Sequence, residues 1–600
     1  MKAWTGTILR VDLKTGTIRK EPLNVKNARD YIGGRGLATK YFCDEVDPEV
    51  DPFSPENKLI FMTGPLTGTA AASGGRYGVI AKSPLTGTIG CANSGGYFGP
   101  ELKYAGYDGV IFENESPKPV YLYINDDVVE LRCAAELWGK TVYETTDILN
   151  EKCGESFKIS CIGPTGENGC LFASVLNDKH RAAGRGGLGA VMGAKKVKAI
   201  AVRGTGSVEV ARPEKFMAAV EDARIKLSAH PVTSIVLTMG GTIGIVNIIN
   251  ETGAFPTRNA RDGAYFNEAD KTGAEALAEN KYLVKNKGCF GCSISCGRVT
   301  RVPDGPYKSS GEGPEYEAAW SFGGACGSSD LASICKANFI CNEYGMDPIS
   351  LGSTIACAME LAEMGAIPES DIGFKLQFGD SRAVVDLSMA VAKNEGFGKT
   401  LALGSYRMAE KYGHPELSMS VKKQETPAYD GRGLQGQGLE YATSNRGGCH
   451  VRGNMATTEA LGIPVKVDPL ENEGKAALVK NLQDKTAFID SAGVCMFSNN
   501  GMGFAELAAQ YREAAGTDET DDEFMLKGER IWNMEKLFNM AAGIEKDTLP
   551  PRILNEPLPL GPAAGNVCRL DTMLGEYYAL RGWSPDGIPS AEKLRQLGLG

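Results

Sequence analysis

A change of texture at Pro213 constrains this chain more than any other feature of its sequence. Before it, short apolar runs at residues 59–62, 77–81, 110–112, 120–124, 159–162 and 199–202 alternate with turn residues, which predicts strands. Residues 5–13 alternate polar and apolar, Lys14-Thr15-Gly16 turns, and residues 17–19 resume the pattern, which predicts a hairpin. Glycine-dense loops fall between the runs, at residues 64–78, 87–99 and 184–193. Glycine supplies 75 of the 600 residues, well above the ordinary share of about 7%. With no low-complexity repeat, that excess indicates tight turns and close approach of backbone to a ligand. After Pro213, which opens a helix over residues 213–229, helical spacing dominates. Further helices are predicted over 329–344, 351–364, 401–412, 475–489 and 524–542, the first three stopped by Gly345, Gly365 and Gly413. Pro415 and Pro427 mark a second break. The chain is therefore expected to be α+β and multidomain: a β-rich unit over 1–210 and two mostly α-helical units over 211–417 and 418–600.

Composition excludes several functions. Sixty-four basic against 74 acidic residues give a net charge of −10, which disfavours a nucleic-acid footprint and an anionic membrane surface. The N-terminus MKAWTGTILRVDL has neither the apolar core nor the cleavage site of a signal peptide. No apolar run reaches the roughly 18 residues of a membrane span. A soluble, cytoplasmic chain is expected. Its 16 cysteines are then not a disulfide framework. Cys133, Cys153, Cys161, Cys335 and Cys357 sit in apolar company, as small core residues do.

One cluster differs. Cys289-Phe290-Gly291-Cys292-Ser293-Ile294-Ser295-Cys296 places three thiols in eight residues, a loop able to wrap three corners of an iron–sulfur cube. Structural zinc is the rival, but it would prefer a second CxxC pair or local histidines, and His180, His230, His414 and His450 are all distant in sequence. The loops Ser73-Gly74-Gly75-Arg76-Tyr77-Gly78, Asn93-Ser94-Gly95-Gly96 and Arg181-Ala182-Ala183-Gly184-Arg185-Gly186-Gly187 pair glycine with arginine or asparagine. Backbone N–H groups and guanidinium forks of this kind close on phosphate. None is a Walker or dinucleotide fingerprint. An internal echo, Asn342-Glu343-Tyr344-Gly345-Met346-Asp347 and Asp490-Ser491-Ala492-Gly493-Val494-Cys495, ends two predicted helices with the form Asx-x-x-Gly-apolar-(Asp/Cys). It is either a pair of glycine helix stops or two related units each presenting a polar helix end to half of a two-part ligand. Glu315, Glu317 and His450 are candidate acid/base groups, and Cys326 and Cys449 are candidate inner thiols.

Together these segments, with Trp4-Thr5-Gly6, Gly33-Gly34-Arg35-Gly36 and Pro427-Ala428-Tyr429-Asp430, resemble the tungsten-dependent aldehyde:ferredoxin oxidoreductase family over essentially the whole chain. The resemblance implies an N-terminal base of paired β-sheets under two helical domains that close over one tungsten held by two pyranopterins, with Mg2+ linking the pterin phosphates. It implies a [4Fe–4S] cluster on Cys289, Cys292, Cys296 and Cys495. Arg76, Asn93, Gly95, Arg181, Ala182, Ala183 and Gly184 would contact pterin phosphates or magnesium. Asn342, Gly345, Met346, Asp347, Asp490 and Val494 belong to the two pterin motifs, with Asn342 standing where an aspartate is expected, and Arg452 stands beside pterin. The glutamate and histidine near tungsten map to Glu317 (Glu315 second) and His450. The implied reaction oxidises an aldehyde to a carboxylic acid and passes electrons to ferredoxin or a ferredoxin-like subunit; use of NAD would require an added flavin/NAD subunit. An inter-subunit iron is not expected, because no histidine lies between His230 and His414. Oligomeric state is left open. The alternatives are a tungsten-type benzoyl-CoA reductase subunit, with Cys326 or Cys449 on the metal, and an iron–sulfur electron carrier without tungsten.

Overall fold

The computed structural model describes residues 1–544 and 546–600. All the expected strands form, within two six-stranded sheets. The first runs in the order Thr17–Pro22, Thr7–Asp12, Gly109–Glu113, Leu59–Thr63, Tyr77–Lys82, Ile89–Ser94. The second runs Arg181–Ala183, Val175–Asn177, Lys158–Cys161, Val197–Arg203, Val120–Asn125, Val128–Cys133. The predicted hairpin pairs Thr7 with Pro22 through Asp12 with Thr17, and its inner strand runs parallel to Gly109–Glu113.

Two-residue periodicity distributes the strands' side chains between different cores. Leu9, Val11, Phe61, Val79, Val110 and Phe112 face Leu122, Ile124, Ile200 and Val202 of the other sheet. Their neighbours Ile8, Ile60, Met62, Ile80 and Ile111 face the opposite way, onto helices Gly34–Glu45, Lys475–Ala492 and Asp521–Ala541. Helix Val142–Cys153 covers the outer face of the second sheet at Tyr121, Ile159 and Ala199. Burial on both faces is why these strands read as unbroken apolar runs rather than as alternation.

Three local expectations are corrected. The segments 87–99 and 184–193 are not loops throughout: they contain strand Ile89–Ser94 and helix Leu188–Ala194. Their glycines serve close packing, since a Cβ on Gly90 would lie 2.9 Å from Leu188 Cδ2. The single helix expected over 401–412 is split into Gly398–Leu401 and Ser405–Lys411, because Gly404 takes a φ of +81°. A three-stranded antiparallel sheet, Leu283–Lys287, Gly297–Val302 and Ser309–Glu312, interrupts the helical part and straddles the cysteine loop. Helices otherwise dominate from Pro213 onward; many share one large apolar core, while Pro213–Ala229 and Phe504–Ala515 join the core against the first sheet. Among the described residues no single helix is long and apolar enough to cross a membrane.

Candidate functional site

The internal echo is a pair of helix ends docked on the sheets in the same way. Helix Leu331–Tyr344 stops at Gly345 and helix Lys475–Ala492 at Gly493, both glycines left-handed, with φ of +87° and +86°. The Gly345 carbonyl accepts from Ser174 N at 2.8 Å, and the Ala492 carbonyl accepts from Leu66 N at 2.9 Å. Each contact is tight enough to demand a facing glycine. A Cβ on Gly163 would lie 2.1 Å from Tyr344 O, and one on Gly64 would lie 2.3 Å from Ala492 C. The motif aspartates then meet buried arginines. Asp347 caps helix Pro348–Glu363 and holds Arg185 at 2.8 Å, while Asp490 holds Arg452 at 2.7 Å. Asn342 turns away and donates to Glu312 O at 3.0 Å. Met346 bridges to Ala173, and Val494 is buried in the core against the first sheet.

The four thiols of Cys289, Cys292, Cys296 and Cys495 line one cavity with Ser73, Gly75, Arg76, Arg181 and Lys287. Cys495 arrives from the second helix end, fixed by its N–H to Ser73 O at 3.2 Å. Arg76 donates to Cys495 Sγ at 3.0 Å and to Asn93 Oδ1 at 3.2 Å, tying the cysteines to the expected phosphate loops. A Cβ on Gly95 would lie 3.0 Å from Cys289 Sγ. Burial works to lower the Arg76 pKa, but the neighbouring Cys495 and Cys289 sulfurs raise it overall, as a cation facing thiolates should be. Arg181 begins the edge strand Arg181–Ala183 and lies 3.0 Å from Glu312. Its outer nitrogen makes no aligned hydrogen bond. Ala182 is exposed, Ala183 is buried, and Gly184 O accepts from Ser174 Oγ at 2.6 Å. Among the described residues no three His, Cys, Asp or Glu groups converge on a single ion. Thiols ringing a cavity with cationic walls fit a polynuclear, anionic iron–sulfur cluster better than tetrahedral zinc.

Glu315 and Glu317 open helix Tyr316–Phe322 and, two positions apart, leave it on opposite sides. Glu315 accepts from Thr242 Oγ1 and, after burial, adds to the rise of the Cys296 pKa by its charge, so it belongs to the cysteine side. Glu317 faces the interior. Its Oε2 accepts from Ala428 N at 3.0 Å, and its Oε1 lies 3.6 Å from His450 Nε2. Their side chains are only 12% and 16% exposed. Tyr429 packs on the imidazole with ring centroids 5.7 Å apart. Burial pushes the Glu317 carboxyl up to about 8 against the Ala428 N–H and Arg185, with Asp347 adding to the rise. Burial, then Arg185 and Arg446, lower His450 to about 3. At pH 7 the pair is a protonated carboxyl beside a neutral imidazole. Glu317 Oε1 and His450 Nδ1 both lack a hydrogen-bond partner, so the pair has unused polar capacity.

Arg185 links these parts, donating to Gly448 O at 2.7 Å beside His450 while it pairs with Asp347. Arg446 donates to Cys449 Sγ at 3.0 and 3.2 Å and to Cys91 O, which also accepts from Arg452. Cys449 is thus held inside the site. Cys326 points elsewhere, donating to Ser321 O at 3.2 Å. Sequence reasoning missed Arg185 and Arg446. The first shares a glycine loop with Arg181, so the repeated arginine was an available signal; the second is made visible only by tertiary contacts.

The description "Aldehyde ferredoxin oxidoreductase, N-terminal domain" matches residues 8–204, and "Aldehyde ferredoxin oxidoreductase, domains 2 & 3" matches residues 218–599. The chain is 51% identical to a tungsten-containing aldehyde ferredoxin oxidoreductase of Pyrococcus horikoshii, over 100% of this chain and 99% of that one. It is 50% identical to the protein of the same description from Pyrococcus furiosus, over 99% and 98% of the two chains. Among solved structures, the active site complex BamBC of benzoyl coenzyme A reductase with 1,5-dienoyl-CoA matches with a TM-score of 0.86 at 28% identity, over 100% of this chain and 97% of that one. Matching family domains that fill the chain, and relatives half identical from end to end, make it a member of the aldehyde ferredoxin oxidoreductase family of oxidoreductases.

Proposed function

We propose that this chain oxidises aldehydes to carboxylic acids with a tungsten bis-pyranopterin cofactor and passes the electrons through a [4Fe–4S] cluster to ferredoxin or a ferredoxin-like subunit. The observation that carries the reading is the buried Glu317–His450 pair, reached by the same Arg185 that pairs with Asp347 of the first helix-end motif. In the balanced reaction an aldehyde and water give a carboxylic acid, two electrons and two protons. The bound metal supplies the two-electron oxidation and the cluster its one-electron relay.

The chain's own groups supply the rest. Arg76 and Arg181 would hold pterin phosphates beside the cysteines and Asn93 would offer its amide oxygen to Mg2+, while Arg185 and Arg452 fix Asp347 and Asp490, which would contact the pterins. In its ionised form Glu317 Oε1 takes the proton released at the carbonyl carbon or from the attacking water; with a conjugate-acid pKa of about 8 it is a strong base that is ionised in only a minor fraction at pH 7 and increasingly as pH rises through 8. Neutral His450 orients that water or the carbonyl oxygen. Gly291 and Ser293, exposed on the cysteine loop, bring the cluster close to solvent, where a small electron acceptor can reach it.

The test is anaerobic purification from cells supplied with tungstate and molybdate, elemental analysis, and assay with an aldehyde and a viologen dye. Close to one tungsten and four irons per chain, with dye reduction by aldehyde, is the expected result. Ring reduction of an aromatic thioester without aldehyde oxidation would move the chain to the benzoyl-CoA reductase reading. Iron without tungsten would leave an electron carrier.

A further inference from the structure

The cysteine loop reaches the surface beside two elements that the chemistry does not use. Helix Val232–Gly240 lies against it: Thr238 Oγ1 donates to Ile294 O at 2.9 Å, and the Leu237 and Thr238 carbonyls accept from Arg298 at 2.8 and 2.9 Å. Strand Leu283–Lys287 is an edge of the three-stranded sheet and leads into Cys289; Asn286 ties it to the helix by donating to Thr238 O at 2.8 Å. At the Gly291 end of the loop, Ser73 N donates to Gly291 O at 2.9 Å, and Arg224 reaches the same turn at Ala70 O, 3.4 Å away.

This face is apolar and basic at once. Met239 is 70% exposed, more than any other large apolar side chain among the described residues. Ile235, about one turn earlier on the same helix, is 55% exposed, and Val284 on the strand is 50% exposed. Large apolar side chains gathered in water mark a contact surface. Residues 281–312 carry six basic side chains against Asp304 and Glu312, on a chain whose net charge is −10. Lys285 and Arg224 are exposed, and neither forms an ion pair among the described residues. An acidic partner is repelled by most of this protein and steered to the one face where the charge reverses.

Resting on the reading of the chain as an aldehyde oxidiser with a cluster on the four thiols, we propose that this face docks a small acidic electron-carrier protein of the ferredoxin type, with Ile235, Met239 and Val284 against its apolar patch and Lys285 and Arg224 against its carboxylates. Docking here sets the carrier over Gly291 and Ser293, the exposed residues of the cysteine loop. Each encounter oxidises the resident cluster by one electron and reduces the carrier by one, so two encounters clear the electron pair released by one aldehyde. Three apolar side chains and two free cations make a small contact, on the scale of a transient electron-transfer complex rather than a permanent subunit.

The test compares holoenzyme with M239D and K285E, and with M364D as a control at another exposed methionine, 54% exposed at the end of helix Pro348–Glu363. Each is assayed with an aldehyde and either an acidic two-cluster bacterial ferredoxin or benzyl viologen, and the ferredoxin Kd is measured by calorimetry at low and physiological salt. The expected result is that M239D and K285E raise KM and Kd for ferredoxin about tenfold, while the viologen rate is unchanged and M364D matches the parent. K285E should also flatten the salt dependence of Kd. Unmoved ferredoxin KM and Kd in both variants would overturn docking at this face. So would equal losses with viologen, which needs no docking, or a dimer of this chain in sedimentation that M239D breaks. Failure of the tungsten-loaded parent to reduce viologen with any aldehyde would instead overturn the aldehyde reading, and the calorimetric Kd would still decide the docking.

Discussion

Glu317 Oε1 stands 3.6 Å from His450 Nε2 in an interior where the carboxyl's pKa is raised to about 8 and the imidazole's is lowered to about 3. The two groups come from segments more than a hundred residues apart in sequence, and one environment separates their protonation behaviour. Burial disfavours the charged form of each, so at neutral pH the site carries one exchangeable proton on Glu317 and none on His450.

Glu317→Gln keeps the Ala428 contact and removes the base. It should cut turnover by at least about a hundredfold, the usual scale of general acid–base assistance, with tungsten and iron contents unchanged. His450→Asn should lower turnover by a similar order. Metal content measured beside activity is the check, and loss of metal in either variant would assign that side chain a structural role.

The same shift fixes a pH dependence. A base must be ionised to act, so kcat/KM should climb with pH and level off above about 8, and Glu317→Gln should flatten the climb. Stability carries the opposite sign. The folded carboxyl stays protonated to higher pH than the unfolded one, its pKa raised from the ordinary 4.5 to about 8, so its contribution is present below about 4.5 and is lost as pH rises through 8. Melting of the cofactor-free protein across that window should show Glu317→Gln gaining on the parent as pH rises.

Cys495→Ser should break both the thiol set and the Arg76 contact. Iron per chain is expected to fall below four, with loss of the broad visible absorption of the cluster and of electron delivery to ferredoxin. Cys326→Ser, at a thiol that donates to Ser321 O outside the cavity, should leave iron content alone. Equal iron loss in both would show that the cavity is not the cluster's site.

Much of this architecture was legible before any coordinates. Runs such as residues 59–62 announced strands because burial on both faces demands apolar residues at every position, and Gly345 and Gly493 announced helix ends because their left-handed backbone excludes most other residues. The three-stranded sheet of residues 283–312 was not legible: its strand Leu283–Lys287 is polar and largely exposed, so no apolar periodicity marks it. Glu317 could not be separated from Glu315 by spacing alone. The choice depends on which side of helix Tyr316–Phe322 meets Ala428 and which meets Thr242, a tertiary fact. Arg446 was hidden for the same reason, because its bond to Cys91 O joins segments 355 residues apart in sequence.

The paired docking of the two helix ends makes the last prediction. At Gly163 and Gly64 an added methyl would meet backbone atoms of Tyr344 and Ala492 at 2.1 and 2.3 Å, well inside contact distance. Neither neighbour is a side chain that can swing aside, so each helix end would have to lift from its sheet. Gly163→Ala and Gly64→Ala should each destabilise the protein by at least about 1–3 kcal/mol, the scale of overpacking. Each should also lower tungsten retention, since the lifted end carries Asp347 or Asp490 with it. Gly575→Ala is the control: it lies in helix Leu570–Arg581 with nothing within 4 Å of its Cβ, and should stabilise by about 0.5–1 kcal/mol through lost chain entropy. Denaturation midpoints with tungsten content are the measurements. Equal behaviour of the docking and control variants would mean that the helix ends are not held rigidly against the sheets and that Asp347 and Asp490 owe their positions to Arg185 and Arg452 alone.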